Sequence, residues 1–208
     1  MKNVFELNHP FITDSLAHLR DKKTGIRKFR YHSDQICWFL FAEAIRGLGF
    51  KEVEIETPLK EMKVEKLADN VVVVPIFRAG LAMLFGAMKL LPKSKIGFVG
   101  LERDEKTALA REYYWKLPEL NENSVVIITD PMLATGGSLR HVLKRVLEHK
   151  VKEVRIVSVV SAPEGIEKIH KDFPNVKIFT AGVDEGLNDK AFIVPGLGDY
   201  GDRYFGTE

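Results

Sequence analysis

Apolar residues dominate five short runs of the chain, "VVVVPIF", "IGFVGLE", "SVVIITD", "VRIVSVVSA" and "VKIFTAGV". Between them lie stretches whose apolar positions recur at helical spacing, "AGLAMLFGAMKLL", "GSLRHVLKRVLEH" and "PEGIEKIHKDF". Runs with almost no polar position suit strands buried on both faces, and their alternation with amphipathic helices predicts an α/β fold with a mainly parallel sheet flanked by helices. Upstream, "FITDSLAHLR" and "SDQICWFLFAEAIRGLG" also show helical spacing, with Ser33 or Asp34 as candidate cap and Gly47 and Gly49 as stops. Residues 1–50 are therefore expected to form a helical extension, and "VEIETPL" after it alternates like a strand. No repeat, low-complexity tract or linker divides the chain, so residues 1–208 are read as one domain with its core in 51–208.

Composition narrows the partners. With 31 Lys plus Arg against 29 Asp plus Glu, the net charge of +2 supplies no broad field to attract nucleic acid or an anionic membrane. A charged ligand must then be met by local groups. The single cysteine, Cys37, sits in apolar "QICWFLFAEAI" and reads as a small core residue. The N-terminus lacks the pattern of a secretory signal and no run is long enough to span a bilayer, which leads to the expectation of a cytoplasmic protein. The six histidines never form H-E-x-x-H and one cysteine cannot build a zinc cage, so any metal is expected to be held largely by substrate.

In parallel sheets the ligand lies beyond the carboxyl ends of the strands, and three loops there carry chemistry: "FRAG", "ERDEKTALARE" and "TDPMLATGGS". Thr135, Gly136, Gly137 and Ser138 open a predicted helix, whose unpaired N–H groups and dipole favour an anion. Asp130, at the preceding strand end, suits sugar hydroxyls better than phosphate. An acid for ribose followed by a phosphate cradle is the order that a ribose 5-phosphate needs. The same residues would also serve as an ordinary strand-to-helix turn. Neither rival phosphate motif fits: G-x-x-x-x-G-K-[ST] is absent, and "GLGDYG" matches G-x-G-x-x-G with only seven residues after it, too few for a dinucleotide fold.

"TDPMLATGGS" resembles the phosphoribosyl-diphosphate signature of the phosphoribosyltransferases, in the form carried by the uracil phosphoribosyltransferases. "VVVVPIFRAGLAM" is similar to that family's diphosphate loop, "GLERDEKTALAREYYWKLP" to its flap and "FIVPGLGDYGDRYFGTE" to its base-binding end, in the family's order. N-terminal "NHP" and "TGIRKFR" fit as well. The resemblance implies a type I phosphoribosyltransferase fold with a mobile β flap, joining N1 of uracil to 5-phosphoribosyl 1-diphosphate (PRPP) to give UMP and diphosphate. Arg78, Arg103 and Asp199 are then the implied catalytic residues. PRPP would meet Arg78, Arg103, Asp199 and the stretch Asp130, Pro131, Met132, Leu133, Ala134, Thr135, Gly136, Gly137 and Ser138; uracil would meet Ile193, Gly198, Asp199 and Tyr200, largely through main-chain groups. The resemblance further implies Mg²⁺ carried mainly by PRPP, a homodimer or higher homo-oligomer, and GTP as a candidate effector.

Bland roles stand beside these. Arg78 would pair on the surface, Lys106 and Arg111 would be solvated charges, and Asp199 would close a glycine-rich turn. Phe77 and Tyr200 replace residues common in the family, a Leu and a small residue, and Thr129 stands where the wider superfamily commonly has a second acid. A transferase for another base, or a regulator that senses PRPP or a nucleotide while binding RNA or DNA, are the competing functions; the latter calls for a basic face or an added DNA-binding module.

Overall fold

The computed structural model describes residues 1–68, 70–103 and 110–207, leaving out the side chains of Arg103 and Ala110. In chain order the elements are β1 (Val4–Glu6), α1 (Pro10–Arg20), α2 (Ile26–Ala44), β2 (Phe50–Glu56), β3 (Glu61–Leu67), β4 (Asn70–Phe77), α3 (Leu81–Leu90), β5 (Lys95–Ile96), β6 (Phe98–Arg103) and β7 (Ala110–Lys116). They continue with β8 (Ser124–Thr129), β9 (Met132–Leu133), α4 (Gly137–Leu147), β10 (Glu153–Ser161), α5 (Pro163–Asp172), β11 (Lys177–Val183), β12 (Gly186–Leu187), β13 (Ile193–Val194) and α6 (Tyr200–Phe205).

The main sheet runs β1-β11-β10-β8-β4-β6-β7, parallel except for the β6/β7 pair at one edge. Successive side chains of a strand point to opposite faces, and the valine runs obey that rule. Val71, Val73, Val125, Ile127 and Val157 pack under α1, α2 and α3. Val72, Val74, Val126, Ile128 and Ile156 pack under α4 and α5. Burying each such side chain is worth roughly 1.5–3 kcal/mol. Two-sided burial is why the sequence shows continuous apolar runs there.

The N-terminal segment departs from the expected helical extension. Val4–Glu6 pair in parallel with β11, closing one sheet edge before the helices begin. Ser33 and Asp34 do not cap a helix; both lie inside α2, whose N-cap is Gly25. Their polar groups serve α6 instead, since the hydroxyls of Ser33 and Tyr200 lie 2.5 Å apart and the Tyr204 hydroxyl donates to Asp34 at 3.1 Å. Of the alternating "VEIETPL", residues 53–56 lie in β2 and the last three residues lie beyond it; β2 pairs with β3 in a separate, largely exposed hairpin. Cys37 is fully buried and burial pushes its thiol well above the ordinary value, consistent with a packing role. No described helix is long and apolar enough to cross a membrane.

Candidate active site

Parallel strands bring their carboxyl ends to one side, so the loops after β4 and β8 meet. Beyond them opens a cavity of about 310 Å³ lined by Asp130, Met132 to Leu139, Leu101, Glu102 and Ala191. At its floor Gly136 takes the left-handed conformation, φ 72°, as N-cap of α4, and it has no side chain to cap the first turn. The Gly137 N–H reaches Thr135 Oγ1 only at 3.5 Å. Such a turn presents N–H groups and the positive end of an 11-residue helix to the cavity. It is built for an anion.

Asp130 enters the same cavity with Oδ1 accepting from the Met132 N–H at 3.2 Å. Burial pushes its carboxyl up to about 6; the Met132 hydrogen bond opposes that shift, and the negative charge of Asp199 adds to it. The fold therefore brings the two acids into electrostatic contact from chain positions far apart. Asp199 also carries the bland role, because Oδ1 accepts from the Asp202 N–H at 2.9 Å and caps α6. Thr129, standing where a second acid was weighed, is buried and donates its hydroxyl to the Gly80 carbonyl at 3.2 Å. A Cβ on Gly80 would lie 2.4 Å from the Thr129 carbonyl, so only glycine permits the loops after β4 and β8 to approach this closely. Arg78 follows a cis peptide at Phe77–Arg78 and donates to Asp202 at 3.2 Å, and Ala79 lies beside Gly201.

The segment that resembles the family's base-binding end is held from an unexpected quarter. Arg20 at the end of α1 makes a two-pronged pair with Asp184, and the same two side chains hold both backbone groups of Gly196: Arg20 donates to its carbonyl at 2.8 Å and Asp184 accepts its N–H at 2.9 Å. Arg203 adds donations to the carbonyls of Leu197, at 2.6 Å, and Leu19. The Tyr200 side chain is buried, edge-on to Phe29 at 5.2 Å, with its hydroxyl engaged by Ser33. Only its backbone remains for a ligand. Ile193 is likewise buried, whereas Gly198 and Asp199 are exposed.

The model of the uracil phosphoribosyltransferase family matches residues 6–207. The chain belongs to the uracil phosphoribosyltransferase family. A uracil phosphoribosyltransferase of Campylobacter curvus (strain 525.92) is 44% identical over 207 residues, covering the whole of both chains. One from Clostridium botulinum is 44% identical over 209 residues, again over the whole of both. Among solved structures, an Aquifex aeolicus protein superposes with a TM-score of 0.92 at 40% identity, over 97% of each chain. The adenine phosphoribosyltransferase of Trypanosoma brucei, solved with AMP, pyrophosphate and ribose 5-phosphate, gives a TM-score of 0.59 at 13% identity over 96% of this chain and 89% of that one. That second likeness speaks to the fold alone, which is the type I phosphoribosyltransferase fold.

The segment that resembles the family's flap leaves the sheet edge as the antiparallel pair β6/β7, with an irregularity at Gly100/Leu101. Lys106 and the Arg103 side chain lie outside the described residues. Arg111 fits the bland role, 3.8 Å from Glu102 with both side chains largely exposed. Phe77 packs toward this pair, stacked with Tyr114 at 6.0 Å and tilted against Phe98 at 5.5 Å. The root of the pair carries no recognisable motif. Glu112 on β7 accepts from Arg145 at 2.5 Å and lies 3.0 Å from His141 Nε2, while the Arg145 guanidinium covers the Trp115 ring at 3.8 Å. Burial alone would raise the Glu112 carboxyl, but the Arg145 and His141 hydrogen bonds outweigh it and hold the pKa below the ordinary value. These contacts fasten β7 to α4, the helix that begins at the cradle. The one available signal was His141 and Arg145 a helical turn apart, facing the same way.

Proposed function

We propose that the protein transfers the 5-phosphoribosyl group of PRPP to N1 of uracil, giving UMP and diphosphate with inversion at the anomeric carbon. The observation that carries this reading is the cavity itself, which puts an uncapped helix N-terminus and Asp130 on one small volume, while the loop that carries Arg78 packs through Gly80 against Thr129, the residue before Asp130. In this reading the first turn of α4 takes the 5-phosphate and Asp130 accepts hydrogen bonds from the ribose hydroxyls. Arg78 and Arg103 meet the diphosphate as it leaves with negative charge, and closure over the cavity excludes water. Uracil presents O2 and O4 as acceptors and N3–H as a donor, which backbone groups around Gly198 to Tyr200 are suited to match, with Ile193 beneath them.

We further propose Mg²⁺ as cofactor, brought in with PRPP. Asp130 and Asp199 fit that cation, since burial and the Asp199 charge both disfavour ionised Asp130 and a cation would relieve it, while diphosphate and ribose oxygens would supply most of its shell. When bound it would neutralise charge on the leaving diphosphate. We also propose action in the cytoplasm, GTP as a candidate effector, and a homodimer or higher homo-oligomer. Exposed Trp38, Phe85, Met88 and Leu90 on α2 and α3 support the oligomer.

The decisive assay measures magnesium-dependent nucleotide formation from PRPP with uracil, 5-fluorouracil, cytosine and adenine in competition. Cytosine replaces O4 with an amino donor and lacks N3–H, leaving buried polar groups unpaired at about 1–3 kcal/mol each. Uracil and 5-fluorouracil should turn over and the other two should not. Comparable turnover of cytosine or adenine would overturn the uracil assignment.

A further inference from the structure

On the outer helices, Asp14 and His18 of α1 and His32 of α2 place one donor atom each within 4.8 Å of one another. Among the described residues this is the one group of three or more histidine, cysteine or acidic side chains with that spacing. Asp14 and His18 are one turn apart on the same face of α1, with Oδ2 and Nε2 separated by 4.0 Å. His32 meets them from the neighbouring helix, its ring stacked on that of His18 at 4.1 Å and 18°. Its Nδ1 lies 3.2 Å from the hydroxyl of Ser15, which is buried. A hydroxyl on Nδ1 orients the imidazole and leaves Nε2 for a metal, the arrangement that commonly supports a liganding histidine.

We propose that Asp14, His18 and His32 bind a zinc-class divalent cation that clamps α1 to α2. Two imidazole nitrogens and one carboxylate oxygen suit Zn²⁺, whereas Mg²⁺ prefers oxygen alone and keeps its waters. Bonds of about 2.0–2.2 Å require donors roughly 3.3 Å apart in a tetrahedral shell, so the side chains must close in and the two rings must turn toward a shared point. They have room to do so, with the His18 side chain 44% and the Asp14 side chain 69% exposed. Water would complete the shell. This site needs neither a cysteine cage nor H-E-x-x-H, because its ligands come from two helices that only the fold brings together. His18 of the clamp immediately precedes Leu19 and Arg20, whose contacts reach Arg203 and Gly196.

The test is calorimetric titration of the full-length protein with ZnCl₂ in magnesium-containing, phosphate-free buffer, paired with thermal denaturation. Zinc should bind saturably at one high-affinity site per chain and raise Tm by several degrees, while further magnesium should not. His18→Gln and Asp14→Asn, both at accessible positions, should leave the circular dichroism spectrum unchanged and weaken zinc binding at least tenfold. His32→Gln should do the same, and if it fails to fold the two α1 variants still decide. Absence of saturable binding overturns the proposal. So does equal affinity in His18→Gln and the parent, which would assign the zinc to histidines elsewhere.

Discussion

Arg78 Nη2 donates to Asp202 Oδ1 across 3.2 Å, tying the loop after β4 to the helix that ends the chain. Asp202 also accepts from the Thr207 hydroxyl, so the acid is fixed while the arginine, 64% exposed, is the partner free to move. An exposed pair of this kind contributes no more than about 1 kcal/mol to stability. Its use is to aim the guanidinium, and an incoming diphosphate with greater charge can take it over.

Arg78→Ala and Arg103→Ala should therefore each lose at least about tenfold in kcat/KM, equivalent to ~1.4 kcal/mol. Asp202→Asn, which removes only the aiming charge, should cost less than about fivefold and appear mainly in KM for PRPP. Steady-state kinetics separates these cases. Near-normal turnover in both arginine variants would return them to the solvated surface.

The cradle gives a cleaner steric test. A Cβ on Gly137 would touch only Thr135 Oγ1, at 3.6 Å, and Gly137 lines the cavity. Gly137→Val should fold normally and fill space meant for phosphate, so PRPP binding should collapse while Tm stays within a few degrees of the parent. A folded variant with an unchanged PRPP titration would remove this loop from the site.

The strands were legible because burial on both faces leaves an unambiguous apolar run, and "TDPMLATGGS" was legible because its chemistry is contiguous. What escaped was set by contacts distant in sequence. Ser33 and Asp34 look like caps until α6 supplies Tyr200 and Tyr204 as their partners. The inward turn of the Tyr200 ring onto Phe29 is likewise set by α6 and has no local sign. Val4–Glu6 are too short to read as a strand without β11 beside them. Arg20 and Asp184 carry no local motif, since their common partner Gly196 belongs to neither neighbourhood.

Asp130 should trade stability for binding. Its carboxyl titrates near 6 in the folded protein against an ordinary 3.8, so the folded state holds the proton more tightly. Ionisation then destabilises the fold progressively as pH rises from about 4 to about 6. Asp130→Asn cannot ionise. It should be more stable than the parent above about pH 6, by about 1–2 kcal/mol once partial solvent access is allowed for, and the difference should vanish near pH 4. PRPP affinity should fall in the same variant. Denaturation curves across that range check the sign, and a less stable variant at pH 8 would contradict the burial argument.

Gly196 offers the most direct way to separate base binding from PRPP binding. Its backbone turns at φ 61°, and its N–H and carbonyl are both held by the Arg20–Asp184 pair rather than by sheet neighbours. The Asp184 side chain is 3% exposed, so removing Arg20 leaves a buried carboxylate with its cationic partner gone. Loss of one partner of a buried pair costs about 3–5 kcal/mol, and part of that strain would fall on the segment that carries Gly198 and Asp199. The cradle sits on another loop, at the start of α4. Arg20→Met should therefore raise KM for uracil at least tenfold while changing KM for PRPP by less than threefold. Asp184→Asn, which keeps an acceptor for the Gly196 N–H, should be milder. The double variant Arg20→Met with Asp184→Asn should recover stability relative to Arg20→Met alone, because the unpaired buried charge is gone, yet it should not recover uracil KM, because the Gly196 carbonyl still lacks its donor. Equal rises in both KM values would instead mean that the pair supports the whole domain and has no particular hold on the base.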